Sequence, residues 1–319
     1  MTALRRMIVS LVVVLAATAT ISALSQEVHR SAECEKNVVY GMFSGTALLM
    51  DVYKPSKSNH RAVIAIMGSG WYMPQRYDAP ALKDGPVVVE FSQKLAAAGY
   101  TVFAINHRAS PRFRYPAAVE DAQRAVRFIR HHSKRFDIDP ERIGAWGRSS
   151  GGHLAALLGT LDGNGDAVDA DPVNQASAKV QAVVALAPAT DLTSIDSPIA
   201  KSMSAMFMGF AYIPPSMAPP GLVRDDDPEI KAFREASPTS HVTADDAPFL
   251  LIHGDADDIV PIQQSEVLEE KLKSAGVTVR LIRVSGGGHG PTFELEPGDA
   301  RLPDDVGEAV QWFDRCLAE

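Results

Sequence analysis

The sequence predicts an α/β protein with a mostly parallel central β-sheet and helices on both of its faces. Two patterns support this prediction. Short, continuously apolar segments alternate along the chain with segments in which apolar residues recur at helical spacing. Continuous apolar runs are typical of strands buried on both faces, and helices between such strands make neighbouring strands parallel.

The first half of the chain opens with two short strands and then begins the alternation. Residues 38–40 and 48–53 flank a Ser-Gly turn, which predicts an antiparallel pair at the sheet edge. Residues 62–67 form a continuous apolar run, which predicts an inner strand. Residues 87–98 have helical spacing and stop at a glycine, and residues 100–105 predict a second inner strand.

The alternation continues to the end of the chain. A helix opens at Pro116, and its apolar residues recur at helical spacing as far as Ile129. A short strand at residues 143–146 leads into a helix at residues 150–158. The remaining strands are predicted at residues 180–186, 248–252 and 277–284, and the remaining helices at residues 262–274 and 304–317.

One long segment, residues 191–247, does not fit this alternation. It contains four methionines, seven prolines and the acidic run 225–227. Because long insertions between strands are often functional, we expect a small lid here, with a plain packed pair of helices as the alternative. The chain is predicted to be a single domain over residues 26–319 that carries this lid-like insertion.

Residues 1–25 are predicted to be a signal peptide. Arg5 and Arg6 precede an apolar run at residues 7–17, and small residues that suit a cleavage site follow the run. The run is short for a membrane-spanning helix, and an uncleaved anchor is the alternative. We therefore expect a secreted or periplasmic protein without stable membrane insertion after cleavage.

Export also bears on the two cysteines, Cys34 and Cys316. An oxidising compartment permits a disulfide, so a bridge between them is one hypothesis and two free thiols are the other. The sequence does not decide between the two states.

Composition and charge argue against several classes of protein. With 46% hydrophobic and 22% charged residues, this is a globular chain rather than a disordered or coiled-coil one. A formal charge of −8 and the lack of a basic stripe argue against nucleic-acid binding. Residues 162–166 imitate the first half of a calcium loop, but Ala167 and Val173 occupy the positions of its turn glycine and bidentate acid, so no metal site is predicted.

The strongest chemical motif is at residues 147–151, which read Gly-Arg-Ser-Ser-Gly between a predicted strand and a predicted helix. This is the context of a nucleophile elbow, in which a tight turn presents a serine at the helix N-terminus. Ser149 is therefore the candidate nucleophile. Because a serine hydroxyl is weakly nucleophilic at neutral pH, it needs a neighbouring base.

The base and the acid are expected after later strands, at the same edge of the sheet as Ser149. His289 follows the last predicted strand in a Gly-Gly-Gly-His-Gly run and is the candidate base. Asp255, Asp257 and Asp258 follow the preceding strand, and their spacing alone cannot identify the acid. His253, at the end of that strand, is interpreted as a structural residue.

An acyl-transfer site also needs backbone N–H groups that stabilise an oxyanion. The loop at residues 67–71, Met-Gly-Ser-Gly-Trp, follows an early inner strand and could supply them. The N–H of Ser150, directly after the nucleophile, is the other candidate donor. A flexible Gly-Ser loop without this role is the alternative for residues 67–71.

With these motifs the sequence resembles the α/β-hydrolase superfamily, specifically its hormone-sensitive-lipase-like and bifunctional feruloyl/acetyl-xylan esterase-like esterases. The resemblance covers nearly all of the chain after the signal peptide except residues 191–235. It is carried by residues 51–53, 71, 108–111, 116–121, 142–146 and 149–155 and by the motifs around Asp257 and His289. The resemblance implies an α/β-hydrolase fold, Asp257 as the acid, and Ser69 and Gly70 as oxyanion donors. Met67 and Ser69 depart from the His-Gly-Gly-Gly loop of the family.

The leading hypothesis is an exported serine carboxylesterase that hydrolyses short-acyl or aryl esters through a Ser-His-Asp triad and an acyl-enzyme. Its substrate is expected to be a small-molecule or polysaccharide-linked ester, and the chemistry needs no cofactor. An amidase-type hydrolase, such as an arylformamidase or a prolyl-oligopeptidase-like peptidase, is the alternative, although 319 residues leave no room for a peptidase's propeller. A non-catalytic binding protein on this fold is the third hypothesis. It predicts that at least one triad residue is missing, whereas the sequence contains candidates for all three.

A short acyl group is expected for two reasons. The insertion is broken by prolines and carries acidic residues, unlike an apolar lipid-binding helix. The bulky Met67, Trp71 and Tyr72 are expected to narrow an acyl pocket beside Ser69 and Gly70.

Overall fold

A computed structural model describes residues 33–209 and 227–318 of the protein. Eight strands form one sheet in the order β1-β2-β4-β3-β5-β6-β7-β8. They are β1 (Glu33–Phe43), β2 (Thr46–Lys54), β3 (Ala62–Ile66), β4 (Thr101–Ile105), β5 (Ile143–Arg148), β6 (Ala182–Leu186), β7 (Phe249–Gly254) and β8 (Val279–Val284). The predicted signal peptide and residues 225–226 of the acidic run lie outside the described residues.

The sheet is parallel except at one edge. β1 pairs antiparallel with β2, and β2 pairs antiparallel with β4. From β4 to β8 every neighbouring pair is parallel. All residues of β3 and β4 are buried, as their continuous apolar runs predict. The predicted α/β class with a mostly parallel sheet is confirmed.

Helices cover both faces of this sheet. They are α1 (Pro86–Ala97), α2 (Ala117–His131), α3 (Ser133–Phe136), α4 (Ser150–Thr160), α5 (Pro198–Met208), α6 (Pro228–Glu235), α7 (Gln263–Ser274) and α8 (Asp305–Cys316). Buried side chains of α1 and α8 form one core with one face of the strands, and those of α2, α4 and α7 form the second core on the other face. The prediction of helices on both faces is also confirmed.

One motif behind the family resemblance has a structural role. The Arg108 guanidinium and the Asp121 carboxylate are both buried and lie 2.8 Å apart, and the Arg108 N–H also donates to that carboxylate at 2.7 Å. The Glu120 carboxylate accepts from Arg108 at the protein surface. This ion pair ties the loop after β4 to the first turns of α2.

The described part of the insertion contains α5 and α6. Ser197 caps α5 by accepting the N–H of Ala200, and Asp227 caps α6 by accepting the N–H of Glu229. Both helices bury aromatic side chains, Phe207 from α5 and Phe233 from α6, in the same core as α4. The described helices therefore pack on the domain, and a lid function stays a prediction.

The disulfide hypothesis is wrong. Cys34 in β1 and Cys316 at the end of α8 are both free, half-buried thiols. Burial is the largest effect on both thiols and raises the pKa of each.

Across residues 33–209 and 227–318, no helix has the length and apolar character needed to cross a membrane.

Candidate active site

The turn between β5 and α4 holds Ser149 in a conformation that few residues adopt. Ser149 has φ 53° and ψ −123°, and its N–H donates to the Leu186 carbonyl at 2.8 Å. The chain can turn this tightly because Gly147 and Gly151 lack side chains. A Cβ at Gly147 would lie 2.1 Å from the Gly151 oxygen, and one at Gly151 would lie 2.1 Å from the Ile66 oxygen. The Gly-x-Ser-x-Gly pattern is thus a steric requirement of this turn.

Loops at the carboxyl edge of the sheet bring the three predicted catalytic residues together. Ser149 follows β5, Asp257 follows β7, and His289 follows β8. His289 Nε2 lies 2.9 Å from Ser149 Oγ, and His289 Nδ1 lies 2.7 Å from Asp257 Oδ2. With Nδ1 donating to the carboxylate, Nε2 is left as the acceptor for the serine hydroxyl. This arrangement can withdraw a proton from Ser149.

The structure selects Asp257 from the three neighbouring acids. Its side chain is fully buried, and Oδ1 accepts the N–H groups of Ile259 at 2.9 Å and Val260 at 2.8 Å. Asp255 and Asp258 are exposed. The Asp255 carboxylate instead accepts the N–H of Gly286 at 2.6 Å. Of the three acids, Asp257 is therefore the one that contacts the imidazole.

Several hydrogen bonds keep Asp257 ionised although it is buried. Burial acts to raise its pKa, but hydrogen bonds from His253 and His289 and from the Val260 N–H outweigh that effect and hold the pKa of Asp257 well below its usual value. Because the folded-state pKa is below the unfolded one, the ionised carboxylate stabilises the fold above the unfolded pKa. That contribution is lost as pH falls through the folded value.

His253 supports this acid from a fully buried position. Its Nε2–H donates to the Val260 carbonyl at 2.8 Å and lies 3.3 Å from Asp257 Oδ2, and its Nδ1 accepts the Ser265 hydroxyl at 2.7 Å. The interpretation of His253 as a structural residue agrees with these contacts. Its contact with Asp257 was not expected from the sequence.

The predicted oxyanion donors do not all remain free. The Ser69 N–H donates to Ser150 Oγ at 2.9 Å. Within the described residues, the N–H groups of Gly70 and Ser150 have no protein acceptor. The site therefore presents two available backbone donors rather than three. The hydrogen bond from Ser69 instead connects this loop to the start of α4.

A buried hydrogen-bond chain connects the loop at residues 67–71 to the insertion. The Trp71 indole N–H donates to His153 Nδ1 at 3.1 Å, and His153 Nε2–H donates to the Ala236 carbonyl at 2.7 Å. Trp71 also stacks on Phe207, with ring centroids 4.6 Å apart. Burial lowers the pKa of His153 to about 4, so its imidazole is neutral at physiological pH.

Arg148, beside Ser149, holds the loop that carries His289, and sequence reasoning missed this residue. Its guanidinium donates to the carbonyls of His289 and Gly290 and, at 3.4 Å, to that of Pro291. Its cationic group lies 5.3 Å from the Phe293 ring centroid, and burial lowers the pKa of Arg148. No carboxylate of the described residues forms an ion pair with it. A charged side chain directly before the nucleophile was the only sequence signal.

Replacing Arg148 should impair catalysis through the position of His289. We expect Arg148→Met to lower kcat for p-nitrophenyl acetate by about 10²-fold, because a misplaced catalytic group costs roughly this factor. KM should change much less, and Arg148→Lys should restore part of kcat. Arg283→Met, on the exposed part of β8, is the control and should retain wild-type kcat. A folded Arg148→Met variant with kcat near the wild-type value would contradict the positioning role.

A small cavity adjoins Ser149 and the free N–H groups of Gly70 and Ser150. Its volume is about 10 Å³, and it is bordered by Ser149, Gly70, Ser150 and apolar side chains. The apolar part consists of Trp71, Ala189, Ala200, Met203, Ile259 and Val260.

The expectation that Met67 and Tyr72 narrow this pocket is wrong. Met67 packs into the core on the opposite face of the sheet, beside Gly85. The Tyr72 side chain is 40% exposed. Of the three bulky residues named from the sequence, only Trp71 borders the cavity. Met67 directly follows β3, and Tyr72 lies beyond the turn at Gly70 and Trp71, which both have positive φ angles.

No group of three or more histidine, cysteine, aspartate or glutamate side chains within the described ranges is arranged to hold a metal ion.

The geometry agrees with comparisons to known proteins. A family model described as BD-FAE matches residues 50–272, which include Ser149 and Asp257. Esterase LipC of Mycobacterium tuberculosis is 30% identical over 275 residues, which make up 85% of this chain and 62% of LipC. The chain thus spans less than two thirds of the length of this relative.

Two solved structures share the fold over most of their length. A truncated form of a carbohydrate esterase from gut microbiota aligns with a TM-score of 0.72 at 27% identity, over 91% of this chain and 98% of that one. An acetyl ester-xyloside bifunctional hydrolase from Caldicellulosiruptor lactoaceticus aligns with a TM-score of 0.66 at 27% identity, over 84% of this chain and 87% of that one.

Proposed function

Because this chain belongs to the BD-FAE family, we propose that it is a carboxylic ester hydrolase with Ser149 as its nucleophile. The family match and the esterase relatives confirm the resemblance to α/β-hydrolase esterases expected from the sequence. The observation that carries the proposed activity is the continuous chain of hydrogen bonds from Ser149 through His289 to Asp257.

In the proposed mechanism, His289 Nε2 accepts the Ser149 proton as Oγ attacks the ester carbonyl carbon. The N–H groups of Gly70 and Ser150 stabilise the oxyanion of the tetrahedral intermediate. The intermediate collapses as His289 donates the proton to the departing alcohol, which leaves an acyl group on Ser149. A water molecule, deprotonated by His289, then releases the acid and restores Ser149.

Asp257 has a supporting role in this scheme. Its carboxylate keeps the Nδ1–H tautomer of His289 and stabilises the imidazolium that forms at each proton transfer. The groups around Asp257 keep the carboxylate ionised, because each stabilises its charged form. They are the imidazoles of His289 and His253 and the N–H groups of Ile259 and Val260.

We also propose that the substrate joins a short acyl group to a bulky alcohol, such as a polysaccharide. The cavity beside Ser149 has a volume of only about 10 Å³. A separate groove of about 1010 Å³ is bordered by residues that include Met73, Tyr77 and Arg112, and it shares no lining residue with this cavity. The support for a polysaccharide-linked alcohol is the carbohydrate esterase among the structural neighbours.

The acyl preference can be measured with p-nitrophenyl acetate, butyrate, octanoate and palmitate. We expect kcat/KM to be highest between acetate and butyrate and to fall steeply beyond about six acyl carbons, since each methylene that finds no space forfeits about 0.8 kcal/mol of burial. Feruloyl esters, acetylated xylan and N-formyl substrates should be included to test ester against amide cleavage. A maximum at octanoate or longer would instead indicate lipid hydrolysis.

Export is part of the proposal as well. The basic pair Arg5 and Arg6, the apolar run and the small residues after it support cleavage near residue 25. Expression of the full chain in a bacterial host, followed by mass spectrometry of the periplasmic and secreted fractions, tests this. Recovery of only the uncleaved chain in the membrane fraction would favour an N-terminal anchor.

A further inference from the structure

The described part of the insertion supplies one wall of the cavity beside Ser149. Helix α5 places Met203 and Ala200 on that wall, and Ile259 and Val260 from the loop after β7 also border the cavity. The insertion therefore contributes directly to the volume available to the substrate.

Met203 sits directly on the oxyanion loop. A Cβ at Gly70 would lie only 2.5 Å from Met203 Sδ, so the thioether is in contact with the Gly70 backbone. The Gly70 N–H is one of the two free donors, so Met203 lies beside a group that is proposed to hold the oxyanion. The flexible, unbranched side chain of methionine fills the remaining space closely.

Several packing contacts hold α5 against the rest of the domain. Ser197 caps its N-terminus, Phe207 stacks on Trp71 at a centroid distance of 4.6 Å, and Met208 is buried. The Tyr115 N–H also donates to the Phe207 carbonyl at 2.8 Å. These contacts hold in place the helix that carries Met203 over Gly70.

The cavity volume of about 10 Å³ is roughly the space that one water molecule needs. Such a space is closer in size to a methyl group than to a longer acyl chain. Met203 is one of the side chains that a longer acyl chain would meet in this cavity.

We infer that Met203 limits the length of the acyl group that this enzyme accepts. The inference rests on the proposed esterase activity. It identifies the insertion, rather than Met67 or Tyr72, as the part of the chain that sets acyl-chain length.

The test compares kcat/KM for p-nitrophenyl acetate, propionate and butyrate in the wild type and in variants of two methionines on the same helix. Met203→Ala should raise the butyrate-to-acetate ratio by about 15-fold relative to the wild type, since two accommodated methylenes contribute about 4-fold each. Met203→Leu, which conserves volume, should leave the ratio within about 3-fold. Met206→Ala is the matched control, because Met206 lies about one turn further along α5 with 41% of its surface exposed, and its ratio should equal that of the wild type.

A larger side chain tests the same inference in the opposite direction. Met203→Phe should lower the propionate-to-acetate ratio, and it keeps the inference testable if Met203→Ala does not fold. An unchanged butyrate-to-acetate ratio in folded Met203→Ala, or an unchanged propionate-to-acetate ratio in folded Met203→Phe, would overturn the inference. An equal change of the ratio in Met206→Ala would also overturn it, as would a wild-type enzyme that prefers butyrate. If the wild type hydrolyses none of the three esters, the proposed function itself fails, which is a different result.

Discussion

Ser149→Ala should abolish ester hydrolysis while leaving the fold intact. We expect kcat for p-nitrophenyl acetate to fall by roughly 10⁴-fold or more, because the members of a triad act as a unit and removal of one removes nearly all of its effect. His289→Ala should lose nearly as much. The hydroxyl of Ser149 has one polar contact within the described residues, to His289, so its removal should change the thermal midpoint little.

Rates are measured on purified protein, and covalent labelling of Ser149 is measured by mass spectrometry. A fluorophosphonate probe should label the wild type at the peptide that contains Ser149 and should leave Ser149→Ala unlabelled. Ser150→Ala is an informative comparison. It removes a hydroxyl that, within the described residues, accepts only the Ser69 N–H, and it retains the backbone N–H of residue 150. If Ser149→Ala kept a tenth of wild-type activity, the nucleophile would have been assigned wrongly.

Asp257→Asn should lower kcat by about 10³- to 10⁴-fold, the loss expected when an asparagine replaces the acid of a serine triad and favours the wrong histidine tautomer. The amide can donate to His289 Nδ1, which would leave Nε2 protonated and unable to accept from Ser149. Asp257 also accepts two backbone N–H groups through Oδ1, so this variant should be somewhat less stable.

Two neighbouring acids provide the controls for this prediction. Asp258→Asn should behave like the wild type, since Asp258 is exposed. Asp255→Asn should also retain most activity, because an amide oxygen can still accept the Gly286 N–H. Equal, small losses in all three variants would refute Asp257 as the triad acid.

Local sequence was sufficient to predict much of this architecture. The continuous apolar runs identified the inner strands, because a strand buried on both faces has no polar side to reveal its period. The elbow could be recognised because its turn excludes side chains at Gly147 and Gly151, where a Cβ would lie 2.1 Å from a backbone oxygen. The order Ser149, Asp257, His289 then followed from the resemblance and from the common edge at which parallel strands end.

The acid and the oxyanion donors could not be chosen from spacing. Asp255, Asp257 and Asp258 are equivalent in sequence, and only the turn after β7 buries Asp257 and exposes the other two. Ser69 was expected to donate to an oxyanion, but its N–H is taken by Ser150, 81 residues away.

What the sequence by itself determined is the α/β class, the elbow at Ser149 and the loops that hold its partners, because these depend on local turns and on the burial pattern of each segment. Only the tertiary structure decided that Asp257 contacts His289, that Arg148 holds the His289 loop, that Met203 covers Gly70, and that Cys34 and Cys316 stay unpaired. Each of these depends on how loops far apart in the chain pack against one another. That packing is set by the combined shape of many side chains and leaves no periodic signal in the sequence.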